Sequence, residues 1–213
     1  MPASIELFQH HRNRVFVETG TYIGEGIQFA LAAGFSVVRS VELSDELYQK
    51  NLRKFAGQNA IRLFHGASDE QLWNMIEDVH EPITFWLDAH FSGGITAKGS
   101  ENCPILKELR VIQRHPIKTH TIMIDDSRYF GTDIFDFIAE EQVCQILRAI
   151  NPAYQFSRET GSTSLPEYAN DVFVAQIPTA FHGLCRESVA QQFKRRRPSR
   201  RHIGIINQAL MAR

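Results

Sequence analysis

Short, continuous apolar runs alternate along this chain with segments whose apolar residues recur three and four positions apart. The first kind reads as buried strand and the second as amphipathic helix. A strand is expected at 15–18, then a helix over 24–33 with Ile27, Ala30 and Leu31 inward and Gly34 placed to end it. The next strand covers 36–43. Ser44 would cap a helix whose inner face is Leu47, Tyr48, Leu52 and Phe55, with Gly57 as its stop. The unit repeats with strand 61–64, a Ser68/Gln71 capping box, and a stripe of Leu72, Met75, Ile76 and Val79 before Pro82.

Strand 83–87, "ITFWL", is too continuously apolar for a sheet with one wet face. Its tryptophan, Trp86, is expected to pack in the core, as is Trp73. Pro104 fits a first helical turn ahead of Ile105, Leu106, Leu109 and Ile112. A fifth strand follows at 121–124, a helix fills much of 134–150 up to Asn151-Pro152, and strands 154–158 and 172–177 close the pattern as a hairpin. Strand-then-helix units ending in a hairpin predict a doubly wound, Rossmann-like α/β sheet. Right-handed crossovers put helices on both faces and the strand ends along one edge. Periodicity alone leaves the strand order open.

Charge changes this picture at one end. Eight of the 23 Lys and Arg but one of the 24 acids lie in 186–213, so residues 1–185 carry 15 bases against 23 acids. The expected organisation is an acidic α/β domain over 1–185 and a basic tail or appended segment over 186–213. An acidic body argues against broad nucleic-acid binding. Cys103, Cys144 and Cys185 are odd in number, widely spaced and without a CxxC, which suggests reduced thiols in a cytoplasmic protein. The opening "MPASIELFQHHRNR" has no apolar run before its charges of the kind a leader carries, and no stretch of about 18 apolar residues suggests a membrane span.

Candidate chemistry begins at "VETGTYIGEG", residues 17–26, where three glycines crowd one strand-to-helix turn. Missing Cβ atoms permit a tight turn and close approach of a ligand, and the helix N-terminus offers free N–H groups. Turn geometry alone would also explain them. Glu42 ends the second strand, 22 residues after Gly20. Its carboxylate could accept both ribose hydroxyls, or could cap the next helix. The glycine spacing departs from G-x-G-x-x-G, and Glu18 beside the turn would repel a pyrophosphate while suiting a cationic ligand. No Gly-Lys-Ser/Thr is present, which disfavours a nucleoside triphosphate loop.

On these residues the chain resembles the class I S-adenosylmethionine-dependent methyltransferases. The resemblance covers most of 15–177 and implies strand order 3-2-1-4-5-7-6 with the last strand antiparallel. It further implies that Glu18, Gly20, Tyr22 and Gly24 surround the methionine portion of S-adenosylmethionine, with Glu42 at the ribose. Ser68, after "HGA", would contact the adenine, with Asp69 as the alternative contact.

Acids follow two other strands. "FWLDAH" ends with Asp88 and His90, and "IMIDDS" carries Asp125 and Asp126. Carboxylates gathered at one edge repel unless a cation or protons intervene, and oxygen-rich clusters suit Mg2+ or another divalent cation. Asp88 with Asp125 is the firmer pair; Asp126 joins if the chain bends after the strand. The bland alternative is that these aspartates accept backbone N–H bonds. This second pattern is similar to that of metal-dependent small-molecule O-methyltransferases of the catechol and macrolide-sugar types. The similarity implies a cation held by Asp88, Asp125 and Asp126 that orients two acceptor hydroxyls. Catechol-type enzymes carry a lysine where this chain has Phe91, so the proton would pass to His90, or to Asp88. His90 could equally be a hydrogen-bond donor in a loop.

The expected function is therefore methyl transfer to a hydroxyl of a sugar, polyol or vicinal diol. Competing readings are a metal-independent methyltransferase, a nicotinamide oxidoreductase, and a Rossmann-like module that binds nucleic acid or protein through its basic tail. The loop 91–102, with Phe91, Ile95 and "SGG", is either a substrate lid or an ordinary connection, and 161–168 would line the same mouth. Basic residues in 193–201, "FKRRRPSRR", are a solvated tail or a contact for RNA or an anionic surface. The following "HIGIINQALM" would favour docking on the body or assembly of a homo-oligomer.

Overall fold

The structure is a computed structural model that describes residues 3–90, 102–161 and 168–178. Six helices and seven strands follow in the order α1 (Ile5–His10), β1 (Val15–Thr19), α2 (Glu25–Ala32), β2 (Val37–Glu42), α3 (Asp45–Lys54), β3 (Ile61–His65), α4 (Ser68–Ile76), β4 (Ile83–Leu87), α5 (Ile105–Arg114), β5 (Thr121–Ile124), α6 (Glu140–Ile150), β6 (Gln155–Glu159) and β7 (Val172–Gln176). The strands form one sheet in the order β3-β2-β1-β4-β5-β7-β6. The first five are parallel, while β7 runs antiparallel between β5 and β6. Both the mixed Rossmann-like sheet and its expected order are therefore present.

Alternation along the strands divides the core in two. Val15, Val17, Ile83, Phe85, Ile122 and Ile124 pack with Leu72 and Met75 of α4, Leu109 of α5 and Leu147 of α6. Phe16, Val38, Trp86 and Met123 face the other way, onto Phe8 of α1 and Ile27 and Ala30 of α2. β1 and β4 are buried at every position, Glu18 and Thr19 of β1 included, which is why each carries a run of apolar residues without an exposed alternate face. The parallel register sets Thr19 beside Leu87 and Leu87 beside Ile124, so the chain leaves β1, β4 and β5 along one edge.

Several local expectations are corrected. Helix α1 was not anticipated; it is short and capped by Ser4, whose Oγ accepts the Leu7 N–H at 3.0 Å. In α3 the buried partner of Leu47 is Asn51, not Leu52, which is 40% exposed. The Ser68/Gln71 capping box does not form: Ala67 holds the cap position, and Ser68 already lies inside α4. A helix does fill much of 134–150, but only its C-terminal part. A short 3-10 turn at Asp133–Phe135 is followed by Asp136 and Phe137 in the left-handed region, and α6 starts only at Glu140. There the Gln142 side chain accepts the Ala139 N–H at 2.8 Å.

Cys103 and Cys144 are both buried, whereas Cys185 lies outside the described residues. So do residues 91–101 of the lid candidate 91–102, most of 161–168, the basic 193–201 and the domain boundary at 185. Among the described residues no helix is long and apolar enough to cross a membrane.

Candidate functional site

The glycine turn leaves the end of β1 with its backbone tied to β2: the Gly20 and Thr21 N–H groups both donate to the Val41 carbonyl, at 3.0 and 3.1 Å. Protein, rather than free space, excludes side chains here. A Cβ on Gly20 (φ +85°) would lie 2.5 Å from the Asp88 carbonyl oxygen. One on Gly24 (φ +79°) would lie 2.6 Å from the Phe55 ring and 2.7 Å from Asn51 Oδ1. Gly26 sits buried in the first turn of α2.

Between the glycines Tyr22 adopts φ +49°, an unusual conformation for a bulky residue. Its N–H donates to Glu42 Oε2 at 2.8 Å, and its carbonyl accepts from Asn51 Nδ2 at 2.7 Å. The side chain stays 37% exposed. Glu42, almost fully buried, also accepts the Ser44 N–H at 2.8 Å, so it links the glycine turn to the start of α3. Asn51 carried no sequence signal beyond its helical spacing from Leu47, because periodicity counts only apolar residues.

Glu18 is fully buried beneath this turn. Its Oε2 accepts from Ser40 Oγ at 2.6 Å, while Oε1 has no partner among the described residues. Burial, opposed by the Ser40 hydrogen bond and reinforced by the charges of Asp88 and Glu42, pushes its pKa up to about 8. On the opposite sheet face, Glu108 of α5 is 1% exposed and close to Ser68 and Thr19, and its Oε1 is also unpartnered. Burial raises it to about 7, against the pull of hydrogen bonds from Ser68 and Thr19. Asp69, next to Ser68 in α4, lies 3.6 Å from Lys107.

The acids after β4 and β5 form the second half of the edge. The Asp88 N–H donates to the backbone and hydroxyl oxygens of Thr19, both at 3.2 Å. His90 bridges two carboxylates, with Nδ1 3.4 Å from Asp88 Oδ1 and Nε2 3.0 Å from Asp126 Oδ2. Asp126 reaches this position because it turns left-handed at φ +52°, where the chain bends out of the sheet. Ligand atoms of Asp88, His90 and Asp126 all fall within 4.8 Å of one another. Asp125 instead groups with Asp126 and Asp171, again within 4.8 Å, and its Oδ1 accepts the Asp126 N–H at 2.8 Å.

Electrostatics follow from that packing. Burial works against a charged His90, yet its hydrogen bonds to Asp126 and Asp88 prevail and raise it to about 10. Burial raises Asp88, partly offset by His90, and raises Asp125 further with the charges of Asp88 and Asp126. Asp126, although burial disfavours its charge, is held below the usual carboxylate range by His90 and Arg128.

Arg128 and Asp171 were not anticipated from the sequence. The Arg128 guanidinium lies 2.6 Å from Asp126 Oδ1, pairs with Asp171 Oδ2, and is flanked by the rings of Tyr129 and Tyr168 at 4.3 and 4.6 Å. Asp171 precedes the antiparallel β7, and its Oδ1 accepts the Arg128 N–H at 2.9 Å. A small cleft lies beside the cluster, with Asp88, His90, Cys103, Glu108 and Phe135 in its wall.

No protein-family model matches the chain, and no curated protein matches its sequence. Solved structures do match in shape. The O-methyltransferase from Bacillus cereus in complex with SAH superposes with TM-score 0.55 and 14% identity, over 82% of this chain and 78% of that one. SAH-bound methyltransferase PaMTH1 of Podospora anserina gives 0.53 and 12%, over 82% and 76%. Spermidine synthase from Thermotoga maritima gives 0.54 and 10%, over 83% and 57%, so the shape by itself does not name an activity. The chain has the class I S-adenosylmethionine-dependent methyltransferase fold.

Proposed function

We propose that this protein transfers the methyl group of S-adenosylmethionine to a hydroxyl of a small molecule, a sugar, polyol or vicinal diol. The observation that carries the proposal is the meeting of Asp88, His90 and Asp126 at the sheet edge where Gly20 packs against Asp88. Glu18, Gly20, Tyr22 and Gly24 are the residues assigned to the methionine portion, Glu42 to the ribose, and Ser68 and Asp69 to the adenine. The unpartnered, buried Oε1 of Glu18 fits a cationic ligand at this turn, because an opposite charge would satisfy it and stabilise its ionised form.

A divalent cation, Mg2+ or another, is part of the proposal. Asp88, Asp125 and Asp126 offer it carboxylate oxygens, with His90 as the neighbouring nitrogen. The donor types fit, since hard cations take carboxylate oxygens readily. When bound, the cofactor supplies the electrophilic methyl and the cation polarises the acceptor hydroxyl.

The chain's own residues do the rest. Glu42 fixes the turn under the cofactor through two backbone N–H groups. His90, charged and held between two carboxylates, orients Asp88 and Asp126 toward the acceptor. Burial gives Asp88 a raised proton affinity, so an Asp88 carboxylate oxygen receives the hydroxyl proton.

A metal-independent version is favoured by one observation: His90 and Arg128 already place two cations among the four aspartates. The test is transfer of labelled methyl from S-adenosylmethionine to a panel of vicinal diols, with and without chelator. Asp125→Ala and Asp88→Ala variants that keep cofactor affinity should lose metal-dependent turnover. Turnover unchanged in both would end the assignment.

A further inference from the structure

Glu108 is a buried acid that the proposed reaction does not use. It stands in α5, 1% exposed, in the wall of the small cleft beside Asp88, and its Oε1 has no partner among the described residues. A buried carboxylate oxygen without a donor is unfavourable, and an apolar side chain of the same length would fill the volume without that penalty. The carboxylate is therefore accounted for by what it does to its neighbours.

Those neighbours are two buried hydroxyls, Thr19 at the end of β1 and Ser68 in the first turn of α4, and both hydrogen-bond to Glu108. An ionised carboxylate only accepts, so each hydroxyl turns its hydrogen toward Glu108 and its lone pairs away. With Oε1 unpartnered, both bonds fall on Oε2, and a proton taken up by Glu108 sits on Oε1 without displacing them. The effect is visible at Thr19, whose Oγ1 accepts the Asp88 N–H at 3.2 Å. Ser68 is held in the same sense. Its neighbour Asp69 is engaged by Lys107 at 3.6 Å, which leaves Ser68 as the acceptor at this point of the edge.

We propose that Glu108 is a positioning residue that fixes the Ser68 hydroxyl as a hydrogen-bond acceptor, and that the site thereby selects a 6-amino purine over a 6-oxo purine. The 6-amino group of adenine donates a hydrogen to Ser68 Oγ. A 6-oxo group in its place sets lone pairs against lone pairs, and Ser68 cannot turn to donate while Glu108 holds its hydrogen. This deepens the reading above, on which it rests for adenine at Ser68, and it involves no cation.

The experiment is calorimetric titration of the full chain with S-adenosylhomocysteine, with S-inosylhomocysteine, and with the analogue that carries hydrogen at the purine 6-position. Wild type should bind the amino compound at least tenfold more tightly than the oxo compound, with the unsubstituted one between them. A freely rotating hydroxyl would instead place the oxo compound above the unsubstituted one, so the wild-type order tests the proposal without any variant. Glu108→Met keeps the length of the side chain and removes both oxygens. It should bring amino and oxo compounds within threefold of each other and bind the oxo compound more tightly than wild type does, a gain that structural damage does not produce. Ser68→Ala should lose the preference as well, and adding Glu108→Met to it should change the ratio no further. Binding of S-adenosylhomocysteine with no preference in wild type, an undiminished preference in folded Glu108→Met, or one that survives Ser68→Ala would overturn this inference and leave the cofactor reading standing. A folded wild type that binds none of the three compounds would overturn both.

Discussion

The missing Cβ of Gly20 would lie 2.5 Å from the carbonyl oxygen of Asp88, so the cofactor turn and the acidic edge are in direct contact. Gly20→Ala should therefore disturb both. Left-handed strain and displacement of rigid backbone together cost about 3 kcal/mol or more. Gly57→Ala is the matched control, with a similar φ of +79° but nothing within 4 Å of the added methyl. It should cost only about 1 kcal/mol. Chemical denaturation of the two variants checks this. Equal losses would show that the Gly20–Asp88 contact carries no special weight.

Glu42→Ala removes the acceptor of two backbone N–H groups, one in the glycine turn and one at the start of α3. A loss of about 2–4 kcal/mol in stability is expected from two bonds to a buried carboxylate. If Glu42 also meets a ribose, wild type should bind S-adenosylhomocysteine more tightly than its 2′-deoxy analogue. Glu42→Ala should bind the two alike. Equal discrimination in both proteins would leave Glu42 with the structural role alone.

The strands were legible in the sequence because burial on both faces forces unbroken apolar runs, as in "ITFWL". Their order required pairing that periodicity does not contain. Asn51, Glu108 and Asp171 were missed for a common physical reason. Each is a polar residue buried through specific partners, and a hydrophobic pattern registers none of them. Asn51 bonds the Tyr22 carbonyl and Asp171 holds Arg128, contacts that span 29 and 43 positions of sequence. The break at Asp136 was hidden likewise, since its carboxylate accepts the Asn102 and Cys103 N–H groups across 34 and 33 positions. Within the candidate site, the acids at strand ends were readable from position. That Asp126 groups with His90 and Asp88 depends on one left-handed residue.

Glu18 makes the stability of the ligand-free protein depend on pH. Its folded pKa is raised to about 8 from an ordinary 4.5, so folding favours the protonated form. The stability this contributes is complete below the unfolded value and falls as pH rises toward 8, by roughly 1.4 kcal/mol per pH unit. Glu18→Gln should flatten the profile between pH 5 and 8 and weaken S-adenosylmethionine binding. Thermal melts across this range decide it; an unchanged slope would mean that Glu18 titrates normally.

His120 predicts the opposite trend at acid pH. The Ile83 N–H donates to His120 Nδ1 at 3.1 Å, so the ring proton sits on Nε2, which donates to His115 Nδ1 at 3.1 Å. His115 Nε2 then donates to the Ile76 and Val79 carbonyls at 3.2 and 3.0 Å. Every ring nitrogen is satisfied with both rings neutral. Burial, with the adjacent His115, lowers His120 to about 3. The stability that neutral His120 contributes is full above pH about 6.5 and declines toward pH 3, by up to about 1.4 kcal/mol per unit. His120→Asn should be less stable than wild type at pH 7.5 yet lose less on acidification to pH 4. A steeper acid loss in the variant would contradict the assigned tautomers.

Calorimetric titration of the protein with S-adenosylhomocysteine tests the central claim most directly. Saturable one-to-one binding is predicted, at least tenfold weaker in Glu42→Ala and independent of added divalent cation. A folded protein that shows no saturable binding of S-adenosylhomocysteine or S-adenosylmethionine at millimolar concentration would contradict it.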